Sequence, residues 1–103
     1  MNARVDAIQQ KLETAFAPQS CIVEDDSALH AGHAGAASGG GHFRINIVTS
    51  YFEGKNRIAR HRLVYDCLSS MMQDDIHALA ITALTPADAA RLADAESQSS
   101  EMP

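Results

Sequence analysis

The run from His42 to Ser50 constrains this chain more than any other. Phe43, Ile45 and Ile47 alternate with Arg44 and Asn46, and successive strand side chains point to opposite faces, so the run predicts a strand with one buried face and one wet face. A one-faced strand needs a cover. Residues 3 to 17 predict one: Val5, Ile8, Leu12, Ala15 and Phe16 recur at spacings of three and four along one helical stripe, with Asn2 as N-cap and Pro18 as stop. After a turn at Gly54, Ile58, His61, Val64, Tyr65, Leu68, Met71 and Met72 repeat the pattern and predict a second amphipathic helix.

Ser20 to Asp25 is a short β-prone run, and Ile76 to Leu84 reads as a third strand with Leu79, Ile81 and Ala83 on one face. Thr85-Pro86-Ala87-Asp88 combines an N-cap, a first-turn proline and a first-turn acid, which predicts a last short helix from about residue 86. Residues 27 to 41 hold five of the six glycines and predict a long flexible loop, the most mobile internal segment. Ser97 to Pro103 has nothing to bury and is expected as a disordered tail, leaving one domain over residues 1–96. The order α-β-β-α-β-α implies an α+β fold. Its three-stranded mixed sheet pairs the first two strands as a hairpin, returns the third parallel to the second, and carries the helices on one face. The expected core sets Phe43, Ile45, Ile47, Leu79 and Ile81 against Val5, Ile8, Leu12, Phe16, Val64 and Leu68.

Length and charge narrow the function. At 103 residues the chain suits one hydrophobic core, no run approaches the ~20 apolar residues of a membrane span, and the N-terminal residues lack a signal-peptide pattern. A cytosolic protein without membrane association is expected. Cys21 and Cys67 form no CxxC pair and read as buried free thiols. No nucleophile triad or phosphate-binding glycine motif is present, so enzymatic activity is not expected. The net charge is −5, yet four of the eight bases lie in the octet from Lys55 to Arg62. DNA binding would rest on Lys55, Arg57, Arg60 and Arg62, against an acidic remainder that repels a polyanion. Arg60 and Arg62 fall on opposite flanks of the helix, about 160° to 200° apart, so only weak, salt-sensitive association follows.

Five histidines remain. His30, His33 and His42 bracket the glycine-rich loop, where His-x-x-His is either a solvated loop or a pair able to close on a metal. His42 is a strand-edge side chain or a ligand. His61 sits on the apolar stripe of the second helix and reads as a structural core histidine bonded to a carbonyl or carboxylate. His77 follows the acidic pair Asp74-Asp75 and is either a strand-start residue or a ligand held by a rigid strand.

Several segments, in order, resemble the BolA family: Asp25-Asp26-Ser27 leading to His30-Ala31-Gly32-His33, His42-Phe43, Phe52-Glu53-Gly54, Arg60-His61-Arg62-Leu63-Val64-Tyr65 and Ile76-His77-Ala78-Leu79. The resemblance runs from about residue 3 to 86 and implies a fold similar to the class II KH domain. It also implies a small partner of monothiol glutaredoxins, apo or through a shared [2Fe–2S] cluster to which the glutaredoxin brings its own thiolate and a bound glutathione. Mapped by resemblance, this chain supplies His77 and a loop histidine, most closely His30, with His33 as neighbour and His42 as competitor. The loop has no cysteine, which places the chain in a histidine-type branch. Imidazole in place of thiolate makes such a cluster less negative, raises its potential and makes ligation sensitive to pH below about 6.5. No cofactor is expected in the isolated chain, which would be a monomer or weak homodimer. The family also carries a transcription-factor reading, with DNA bound through residues 52–64; no Gly-x-x-Gly loop of the RNA-binding KH type is present.

Overall fold

The computed structural model describes residues 3–26, 41–73 and 75–101, the last seven as backbone alone. Its elements are α1 (Ala3–Phe16), β1 (Ser20–Asp25), β2 (Gly41–Val48), α2 (Arg57–Cys67), β3 (Ile76–Leu84) and α3 (Pro86–Glu101), with 3-10 turns at Ser50–Phe52 and Ser69–Met71. The sheet runs β1-β2-β3, with β1 antiparallel and β3 parallel to β2. This is the mixed α+β architecture that the periodicities imply. The expected flexible segment falls outside the described residues except for Gly41, which already belongs to β2.

Alternation in β2 sends Phe43, Ile45 and Ile47 into the core, where Ile8, Leu12 and Phe16 of α1, Val64 of α2 and Leu68 at the C-terminal cap of α2 close over them. Val5, Leu79 and Ile81 are half-buried at its margin. For Leu79 and Ile81 the reason is position, since β3 has a strand neighbour on one side only among the described residues. Phe52, Val23 and Ile76 also join the core. Phe52 escapes both periodicities because it hangs from a 3-10 turn.

That turn explains why β2 stops at Val48, two residues before Ser50. The buried Thr49 donates its hydroxyl to the Phe16 carbonyl at 2.9 Å and accepts from the Tyr51 amide at 3.2 Å, joining the end of α1 to the end of β2. At the same junction Ala17 holds φ at 42°, and its amide bonds to the Glu13 carbonyl at 3.0 Å. A left-handed helix end favours glycine, and a Cβ there costs about 1 kcal/mol. Ala17→Gly is expected to stabilise the fold by roughly 0.5–1 kcal/mol, read as a higher urea midpoint; an unchanged or lower midpoint would contradict this.

Helix α2 is rotated from the expected stripe. Ile58 is 68% exposed and Tyr65 38%. Counting from Val64, the buried centre, Leu68 at the helix cap lies about 40° away, whereas Tyr65 and Ile58 lie about 100° and 120° away. The apolar residues alone form a stripe wider than the core accepts. Helix α3 reaches Glu101 instead of ending early, across residues whose composition suggests a disordered tail. Ala87, Ala89, Ala90 and Ala93 sustain the helix through intrinsic propensity, with Leu92 half exposed.

Candidate functional site

Strand β3 begins with an irregular step. Gly41 pairs with Ile76 but His42 pairs with Ala78, so β3 carries one extra residue at this point. Ile76 is buried and Leu79 turns to the same helix-covered side, and the two residues between them, His77 and Ala78, both fall on exposed positions. The bulge therefore presents His77 at the open end of the sheet. His42 is half-buried with its Nε2 out of contact with solvent, and its ring lies 5.2 Å from that of His77, tilted by 54°.

The bases of both strands are tied down. The Gly41 amide donates to the Asp75 carbonyl at 3.1 Å, the Asp75 amide donates to the Met71 carbonyl at 2.9 Å, and the Asp26 amide donates to the His42 carbonyl at 2.7 Å. Asp26 also pairs with Arg44 at 3.1 Å, so a charge pair flanks His42 where β1 leaves the sheet. A groove lined by Asp26, His42, Arg44, Ala78 and Ala80 runs from His42 along the face of the sheet opposite the helices. His30 and His33 lie outside the described residues.

Two neutral imidazoles form a donor set of intermediate softness suited to iron, copper or zinc. In a [2Fe–2S] cluster each iron takes two protein ligands beyond its sulfides, and two histidines can fill both places on one iron. The chemistry of His77 with a second imidazole thus fits half of such a cluster. The two thiols are poor candidates for ligation. Burial, and then Glu13, pushes Cys21 up to about 11, and burial raises Cys67. Both remain protonated near neutrality and bind metal weakly.

His61 is not a core residue. It is half-buried in a groove shared with Lys55, Arg57, Arg60 and Asp88, because it lies about 60° off the buried centre of α2. Arg60 is the larger departure from the basic-patch reading. Its guanidinium donates to the Lys55 carbonyl at 2.8 Å, the Ala83 carbonyl at 3.1 Å and Asp88 at 2.8 Å, joining α2, β3 and α3. Lys55, Arg57 and Arg62 stay exposed. Gly54 sits before them with φ at 76°, a turn conformation that suits glycine. The partner on Asp88 lies 28 positions away, and no local spacing announces it.

Arg60, followed by the amide and hydroxyl of Thr85, holds Asp88 down to about 2, below its ordinary 3.8. A folded-state value below the unfolded one means stability that is present above about pH 4 and lost as pH falls toward 2. Arg60→Ala is expected to lower stability at pH 7 and to narrow the gap between urea midpoints at pH 7 and pH 3. An unchanged gap would show that Arg60 does not set this acid sensitivity.

Residues 12–88 match the family described as BolA-like protein. SufE-like protein 1, chloroplastic/mitochondrial, of Arabidopsis thaliana is 41% identical over 93 residues, covering 85% of this chain and 25% of that protein. BolA-like protein 1 of Mus musculus is 44% identical over 81 residues, covering 79% of this chain and 57% of that protein. The chain thus spans from a quarter to just over half the length of these curated relatives. Among solved structures, the BolA domain of SufE1 from Arabidopsis thaliana superposes with a TM-score of 0.75 at 42% identity, covering 84% of this chain and 96% of that one. No helix among the described residues is long and apolar enough to cross a membrane.

Proposed function

The chain belongs to the BolA-like protein family, and from that premise we propose that it is a non-enzymatic partner of a monothiol glutaredoxin, receiving or handing on a shared [2Fe–2S] cluster as cargo. The observation that carries the reading is the exposed His77, set out by a strand bulge beside the ring of His42. His77 supplies one ligand. The second is assigned to His30, as the resemblance implies, and His42 flanks His77. A strand-borne ligand fixes one side of the site. The partner and its glutathione supply the thiolates.

The purified chain is mixed with a cluster-loaded monothiol glutaredoxin and followed by visible absorption and circular dichroism. The expected result is a heterocomplex spectrum distinct from that of the glutaredoxin alone, saturating at one chain per glutaredoxin. A spectrum unchanged at excess chain rejects the proposal. The DNA-binding alternative draws less support, because Arg60 is spent within the fold and the exposed bases of the octet are reduced to Lys55, Arg57 and Arg62. Nanomolar, sequence-selective binding at ~150 mM salt would favour it instead.

A further inference from the structure

β3 is an edge strand among the described residues, and its composition does little to protect it. From Ile76 to Leu84 it holds no Lys, Arg, Asp, Glu or Pro, the residues that commonly blunt an exposed edge. Ladder geometry identifies the backbone groups that point outward. In a parallel pair a β2 residue donates to the residue before its β3 partner and accepts from the one after it. Register pairs Phe43 with Leu79 and Ile45 with Ile81, so Ala78, Ala80 and Thr82 turn their peptide groups toward β2. Leu79, Ile81 and Ala83 turn theirs away. The Ala83 carbonyl fits this assignment, since Arg60 reaches it from outside the sheet at 3.1 Å.

The side chains at this edge are also incompletely covered. Phe43, Ile45 and Ile47 on β2 are buried, yet Leu79 and Ile81, beside two of them on the same face, are half-buried. An occupant of the edge should therefore be an extended strand with a large aliphatic side chain opposite each of these two. β3 meets that description itself. Antiparallel pairing about a two-fold axis at Ala80 sets Leu79 against Ile81 of the second copy and Ile81 against its Leu79, as hydrogen-bonded pairs. It sets Ala80 against Ala80 as the close, non-hydrogen-bonded pair, about 4.5 Å between Cα atoms, where a small side chain fits. The four new bonds involve only Leu79 and Ile81 of each copy; further along, the same register sets Ala83, whose carbonyl Arg60 holds, opposite His77 of the second copy.

We propose that the β3 edge is a self-association surface on which a second copy of this chain adds its own β3, making one continuous six-stranded sheet. The pairing is isologous and closes at two copies. Each copy carries a net charge of −5, so association strengthens as salt screens the repulsion. A single strand pair falls below the ~1,200 Å² of a standard stable interface, so the association is expected to be weak and seen only at high protein concentration.

Sedimentation equilibrium to about 1 mM is the test, with Ala80 as the probe. Ala80 is exposed, so Ala80→Lys places two like charges at the axis without entering the core. Wild type is expected to approach twice the monomer mass, with the Leu79 and Ile81 amides more protected from hydrogen exchange at high concentration. Ala80→Lys is expected to weaken association at least tenfold, and an equimolar mixture with Ala80→Glu to restore it. A wild type that stays monomeric at about 1 mM overturns the proposal, as does an Ala80→Lys variant that associates as tightly as wild type.

Discussion

Phe52→Ala is expected to cost about 3–5 kcal/mol, the range for truncating a buried phenylalanine without collapse of the cavity. The ring is fully buried, its centroid 5.6 Å from that of Phe16, which in turn meets the edge of Tyr51 at 6.0 Å. Relaxation is limited, because the hydroxyl of Thr49 holds the end of α1 to the start of the same turn. The total stability of a small domain lies near the low end of about 5–15 kcal/mol, so this one truncation removes a large share of it. Thermal melting should show a drop on the order of 15–30 °C. A loss below about 1 kcal/mol would mean that the turn carries no core function.

The second large effect concerns His77. His77→Ala is expected to remove the heterocomplex spectrum altogether while leaving the melting temperature near that of wild type, because the side chain is exposed and the strand is anchored by Ile76 and the Asp75 backbone. His30→Ala is expected to alter the spectrum strongly. His42→Ala should have a smaller effect, through the ring that flanks His77. If His42→Ala abolishes the spectrum and His30→Ala leaves it unchanged, the second ligand is His42.

The sheet is legible in the sequence because β2 obeys a strict period of two, and α1 because one stripe matches one core face. For α2 the periodicity gives the length but not the rotation. Seven apolar or histidine positions define a stripe broader than the core, and sequence alone does not say which edge of such a stripe is left in water. The bulge at His77 does leave a signal. Ile76 and Leu79 are both apolar and three apart, out of phase for a regular strand, so an extra residue is needed between them to turn both to the same side. The Arg60 contacts leave none, because Ala83 and Asp88 are brought to it by packing across 23 and 28 positions. A basic octet on a helix looks like a surface patch until the fold places a carboxylate and a strand-edge carbonyl beside one of its members.

If an imidazole of this chain binds iron, pulsed electron paramagnetic resonance of the reduced heterocomplex detects it through the nitrogen itself. The chain would carry 15N-histidine and the glutaredoxin natural-abundance nitrogen. Strong 15N couplings from coordinated histidine are expected in the wild-type complex, with the His77 contribution absent from any cluster that His77→Ala still holds. A reduced heterocomplex showing no strong 15N coupling, or the same couplings in His77→Ala, would remove histidine ligation by this chain.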